Sequence, residues 1–110
     1  MIVRKVDEIE AQEMSEAQNA TIKILIGEKE GALNFIMRYF CINPKGSTPY
    51  HSHDWEHEIF ILKGKGVIRG ENALYTVEAG SFAYIPPNEK HSFENPFDEP
   101  LEFLCIIPKW

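Results

Sequence analysis

The sequence predicts an all-β fold, a small antiparallel sandwich or barrel, and three observations carry that reading. Short apolar runs of strand character recur about eight times, at a spacing typical of small sandwiches and barrels. Turn residues divide every run from the next. No linker, internal repeat or low-complexity tract interrupts the series, so one domain is expected over residues 1–110, with 1–33 an N-terminal arm and first strands and 34–108 the barrel.

Ile2–Val6 reads as a short strand, and residues 7–20 (DEIEAQEMSEAQNA) as a helix or ordered arm whose apolar positions are too few for a core face. Thr21–Ile26 follows and stops at the turn residues Gly27 to Gly31. Asn34–Ile42 stops at Pro44 and Gly46, and His57–Lys63 at Gly64. Gly66–Ile68, Ala73–Val77 and Ser81–Ile85 are separated by Gly70 with Asn72 and by Gly80. Pro86 to Asn88 precede His91–Glu94, and Asn95 with Pro96 precedes the last strand, Leu101–Ile107. Three of these runs, NFIMRYFCI, EIFIL and LEFLCIIP, are apolar on both faces, which requires cover on both sides by a second sheet or a second subunit. A homodimer is the expectation, with Phe60 and Leu62 on the covered outer face.

The 110 residues carry a net charge of −6 and a pI near 5.2, which excludes a basic stripe for nucleic acid. No apolar run approaches the ~18 residues of a membrane span, and the N-terminal MIVRKVDEIE lacks the apolar core of a secretory signal. Cys41 and Cys105 lie far apart in apolar strands and read as buried free thiols, so a cytoplasmic location is expected.

All four histidines fall in two stretches, HSHDWEH (His51, His53, His57) and PPNEKHSFEN (His91). Residues two apart on a strand face one side, so His51 and His53 present their rings together, and His57 has the same parity. Imidazole is the commonest side-chain ligand of late first-row metals. The set therefore predicts a metal site of four neutral nitrogens at His51, His53, His57 and His91.

These residues also carry a resemblance. Gly46-STPY-His51-Ser-His53-DWE-His57-EIFILK-Gly64 resembles the first cupin motif, and Gly80-SFAYI-Pro86-Pro-Asn88-EK-His91-SFE-Asn95 the second. Asn88 stands where the pattern has glycine, Lys45 stands at the family's first glycine position, and His57 stands where the common pattern has glutamate. Glu58 follows directly and fits the looser spacing, but its parity turns it away from the face shared by the histidines. The resemblance implies a small single-domain cupin, an antiparallel double-stranded β-helix or jelly-roll barrel, similar to a four-histidine subgroup with manganese-binding members. Its implied cofactor is one divalent transition metal, with Mn favoured and Fe, Ni, Cu, Co or Zn compatible with the ligands.

With His57 inward, Ile59 and Ile61 wall the cavity, and on the last strand Glu102 faces out while Phe103 and Cys105 face in. By the same rule Tyr39, with Met37 and Cys41, is expected inward and Arg38 outward; an inward Arg38 would favour a carboxylate substrate. Tyr39, Tyr84 and Cys105 are the polar groups expected near the pocket, Trp55 packs over its mouth, and Asp54, Glu56 and Glu58 occupy supporting positions. Any catalysis then rests on the metal. The expected function is a metal-dependent oxidoreductase of dioxygenase type acting on a small, partly apolar oxygenated compound. The alternatives are a non-catalytic metal or small-ligand binding cupin, and a non-redox isomerase or decarboxylase.

Overall fold

In the computed structural model, which describes residues 1–109, nine β-strands form one curled antiparallel sheet. They are β1 (Gln12–Glu13), β2 (Gln18–Ile26), β3 (Phe35–Ser47), β4 (His57–Lys63), β5 (Lys65–Arg69), β6 (Leu74–Glu78), β7 (Phe82–Ile85), β8 (Ser92–Glu94) and β9 (Leu101–Pro108). Their order is β6-β5-β8-β3-β9-β4-β7, with β2 on β3 and β1 on β2. Every strand expected after residue 20 has its counterpart here. The expected strand over Ile2–Val6 is absent; that stretch leads into a 3₁₀ turn at Val6–Glu8. The acidic arm supplies β1 and the start of β2, because its backbone finds ladder partners on neighbouring strands while Met14, Ala17 and Ala20 reach the core. Among the described residues no helix is long and apolar enough to cross a membrane.

The core lies on the concave side, where rows of side chains cross three strands. Ile61 of β4, Phe103 of β9 and Phe40 of β3 make one row, and Ile59, Cys105 and Arg38 make the next. Phe103 is fully buried, its ring 5.1 Å from Phe40 and 4.8 Å from Phe93. Burying such aromatic side chains supplies much of a small domain's stability, at roughly 25 cal/mol per Å² of apolar surface.

The parity expected for β3 is reversed: Arg38, Phe40 and Ile42 face the interior, opposite Cys105, Phe103 and Leu101. Tyr39 is therefore not a pocket residue; it is buried on the other face of β3, where its hydroxyl donates to the Glu102 carboxylate. Arg38 is accommodated inside because its guanidinium has partners there, the Cys105 sulfur at 2.9 Å and the Phe40 ring at 5.0 Å. Glu102 faces outward with Tyr39.

Two turns set the frame for the histidines. Lys45 and Asn88, which stand where the family pattern has glycine, both adopt the left-handed conformation, each with φ of 70°. At Gly64, with φ of 80°, a Cβ would lie 2.2 Å from the Pro100 carbonyl oxygen, so the β4–β5 turn admits no side chain.

Candidate metal centre

His57 opens β4 beside Ile85 of β7, and its inward parity is fixed by the alternation that buries Ile59 and Ile61. His91 precedes β8 and forms a two-way backbone bridge with His51, His51 N donating to His91 O (3.1 Å) and His91 N to His51 O (2.8 Å). That bridge joins the two histidine stretches. A second tie runs from the Asn88 N–H to the His53 carbonyl at 2.6 Å, using the left-handed turn at Asn88.

The rings converge. Nitrogens of His51, His53 and His91 all lie within 4.8 Å of one another, a spacing at which one ion can be held. The His57 ring stands 4.9 Å from that of His91 and 5.3 Å from that of His53, beside this trio but outside its tightest grouping. His57 and His91 are 3% and 4% exposed, whereas His51 and His53 are half-buried. Trp55 stacks flat on His53, ring centres 4.3 Å apart at 5°, and so fixes that ring against the loop.

Protonation suits a cation. Burial is the largest cause holding the His57 imidazole down, to about 3, with His91 and Arg38 adding to it. Burial likewise depresses His53 to about 4, helped by His51, His91 and Arg38, and lowers His51, helped by His91. At neutral pH these rings are uncharged, the state in which imidazole ligates. His91 Nδ1 lies 2.9 Å from the Glu89 carbonyl, an acceptor only, so Nδ1 carries the proton and Nε2 keeps its lone pair. Nε2 of His57 is buried and has no hydrogen-bond partner. An orphaned buried ring nitrogen beside three converging histidines is what a cation would satisfy, and the donor set fits the metal the motifs imply.

The surroundings are chemically distinct. Ile59, Ile61, Phe103 and Cys105 face inward with His57 and are packed into the buried core. On the same side the Arg38 Nη2 comes within 3.4 Å of His57 Nδ1, and its Nε is buried without a partner. Glu58 is exposed on the outer face, opposite Tyr84 and Ile106, and Tyr84 is exposed there too. Asp54 and Glu56 are exposed in the loop.

A cavity of about 540 Å³ opens between β6 and β7, the two ends of the strand order, and reaches His91. Ile68, Val77 and Ile85 wall it, with Tyr75, Tyr84 and Glu89 among its polar lining residues. Sequence reasoning missed Glu89 and Tyr75 entirely. Glu89 sits two residues before His91, and that adjacency was the available signal; Tyr75 lies at a two-residue offset from the buried Val77.

Residues 38–107 match the family described as the cupin domain. The chain is 35% identical over 71 residues to 1-methylthio-D-xylulose 5-phosphate methylsulfurylase of Rhodospirillum rubrum, covering 64% of this chain and 46% of that protein. It is 36% identical over 93 residues to a glucose-6-phosphate isomerase of Pyrococcus abyssi, covering 74% of this chain and 49% of the isomerase. The chain thus spans about half the length of these curated relatives. Among solved structures, the polyketide cyclase RemF of Streptomyces resistomycificus superposes with a TM-score of 0.93 at 30% identity, covering 98% of this chain and 79% of the cyclase.

Proposed function

The chain belongs to the cupin family, and on that premise we propose that it is a metal-dependent enzyme that moves a proton on a small anionic oxygenated compound, an enolisable ketone or a carboxylate, without net oxidation. The observation that carries this reading is the inward Arg38, whose guanidinium lies beside His57. A fixed positive charge next to neutral imidazoles favours an oxyanion in the site. A divalent cation on the histidines, manganese by preference, would supply a Lewis-acid charge for the same oxygen. His51, His53 and His91 would hold it, and His57 would complete the set through its buried Nε2. Arg38 lends its positive charge to the site from the Nδ1 side of His57, and Ile68, Val77 and Ile85 enclose the carbon skeleton of the substrate in the cavity that meets His91. Glu89, the carboxylate among the lining residues of that cavity, takes and returns the proton. The likeness to a protein named as an isomerase supports this class, since isomerisation leaves the net oxidation state unchanged.

A second reading rests on the other flank. Ile59 lies two residues along β4 from His57, and Ile61 and Phe103 extend this dry core behind it, which suits the dioxygenase chemistry that an open metal site can also perform. The two readings part cleanly. Anaerobic incubation of Mn-loaded protein in D₂O with hydroxyketones, 1,3-diketones and keto acids is expected to incorporate deuterium next to the carbonyl, with loss in Arg38→Met and Glu89→Gln. Turnover that consumes dioxygen moves the dioxygenase to first place. No turnover with Mn, Fe, Ni, Cu, Co or Zn leaves a metal or small-ligand binding cupin.

The assembly forms part of the proposal. Phe60, Phe82 and Tyr84 are 47%, 81% and 57% exposed on the outer face of β4 and β7, and we assign a second copy of the chain to cover them.

A further inference from the structure

Nδ1 of His57 faces two neighbours, the Cys105 sulfur at 3.3 Å and Arg38 Nη2 at 3.4 Å, while the same Nη2 lies 2.9 Å from that sulfur. A guanidinium can only donate, so what Nδ1 does depends on the sulfur. Were Nδ1 bare, Arg38 or the thiol hydrogen would donate to it. The proton of the neutral ring would then sit on Nε2, a buried nitrogen with no partner, and Nε2 could bind no cation. With the proton on Nδ1, the sulfur accepts from His57 and from Arg38 together, and Nε2 presents its lone pair. The short contact from Arg38 to sulfur marks Sγ as an acceptor, and the same sulfur lies within reach of an Nδ1–H donor. His91 has the same design, with the Glu89 carbonyl in the place of the sulfur.

We propose that Cys105 is a positioning residue: its sulfur accepts the Nδ1–H of His57, with Arg38 holding that sulfur from the other side, and so turns an unprotonated Nε2 toward the histidine cluster. This inference rests on the reading of His57 as the fourth ligand, but it concerns a tautomer that exists without any metal. Cys105 is 1% exposed and makes no other side-chain bond among the described residues, so its chemistry is spent on these two neighbours.

The test uses protein with ¹⁵N-labelled histidine. Long-range ¹H–¹⁵N correlation on the metal-free full chain identifies the tautomer of His57, and pulsed electron paramagnetic resonance on the Cu(II)-loaded chain counts coordinating imidazoles. The wild type is expected to show Nδ1–H. Cys105→Ser, whose hydroxyl still accepts, is expected to keep it. Cys105→Ala is expected to switch His57 to Nε2–H, drop the imidazole count by one and weaken metal binding by ~10–100-fold, the usual cost of losing a partner that orients a ligand. An Nε2–H tautomer in the wild type overturns the inference without need of any variant. Unchanged tautomer and affinity in Cys105→Ala overturn it as well, as does a switch in Cys105→Ser. A wild-type Nδ1–H tautomer together with only three imidazoles on copper upholds the role of Cys105 and removes His57 from the ligand set, so the two claims fail separately.

Discussion

The four histidines divide into two pairs built on different principles. His57 and His91 are buried and rooted in the sheet, one by the register of β4 on β7, the other by the bridge that leads into β8. Their Nδ1 atoms also meet neighbours within the protein, the Cys105 sulfur and the Glu89 carbonyl. His51 and His53 are half-buried, and His53 takes its orientation from the Trp55 ring and from the bond that Asn88 makes to its carbonyl. The strand pair is thus preset before any ligand arrives, while the loop pair lies nearer the solvent. Preorganisation falls on one half of the site and exposure on the other.

The largest perturbation of this contrast removes the support of the strand pair. Phe103→Ala opens a cavity under β9 and is expected to cost ~3–5 kcal/mol in urea unfolding, with metal affinity falling alongside. A stability loss with unchanged affinity would mean that the core does not preset the strand pair.

Direct removal of ligands comes next. His91→Ala is expected to lower metal affinity beyond the ~10–100-fold cost of an outer partner. His53→Ala should lose less, because the loop ring is held by fewer fixed contacts. A competition titration compares them, and a larger loss in His53→Ala would reverse the comparison.

Acid separates metal-free from metal-bound protein. His57 and His53 titrate near 3 and 4 in the folded chain and near 6.5 when unfolded, so below 6.5 the unfolded chain binds more protons. The stability from burying neutral rings is therefore complete above pH 6.5 and is lost progressively as pH falls toward 3. Chemical denaturation of metal-free protein at pH 7 and pH 5 is expected to show the decline, and His57→Ala to flatten it. An equal decline in that variant would place the cause elsewhere.

The smallest effect lies on the far side of β3. Tyr39→Phe removes a hydrogen bond to Glu102, at a cost of ~1 kcal/mol in unfolding experiments, and leaves metal binding untouched. A change in metal affinity would couple the two faces of the sheet.

Most of this organisation could be read from the chain. The two motifs marked the histidines, and alternation along HEIFILK and LEFLCIIP gave the faces of β4 and β9. Arg38 was the point of failure, because a charged residue in an apolar strand is ordinarily turned to water. What held it inside was a sulfur and an aromatic ring from distant parts of the chain, and no local pattern encodes those partners. Tyr39 was misplaced by the same step, since one reversed residue reverses a whole strand. The cavity was invisible for a related reason: it lies between β6 and β7, whose proximity depends on how the whole sheet curls.

These rings are preset as a site for one divalent cation. Mass-spectrometric metal analysis of protein purified without added metal, run beside His91→Ala, tests it most directly. One equivalent of a divalent transition metal is expected per wild-type chain, and little in the variant. A wild-type chain that carries no metal and takes none up on titration, or a variant that retains a full equivalent, would contradict it.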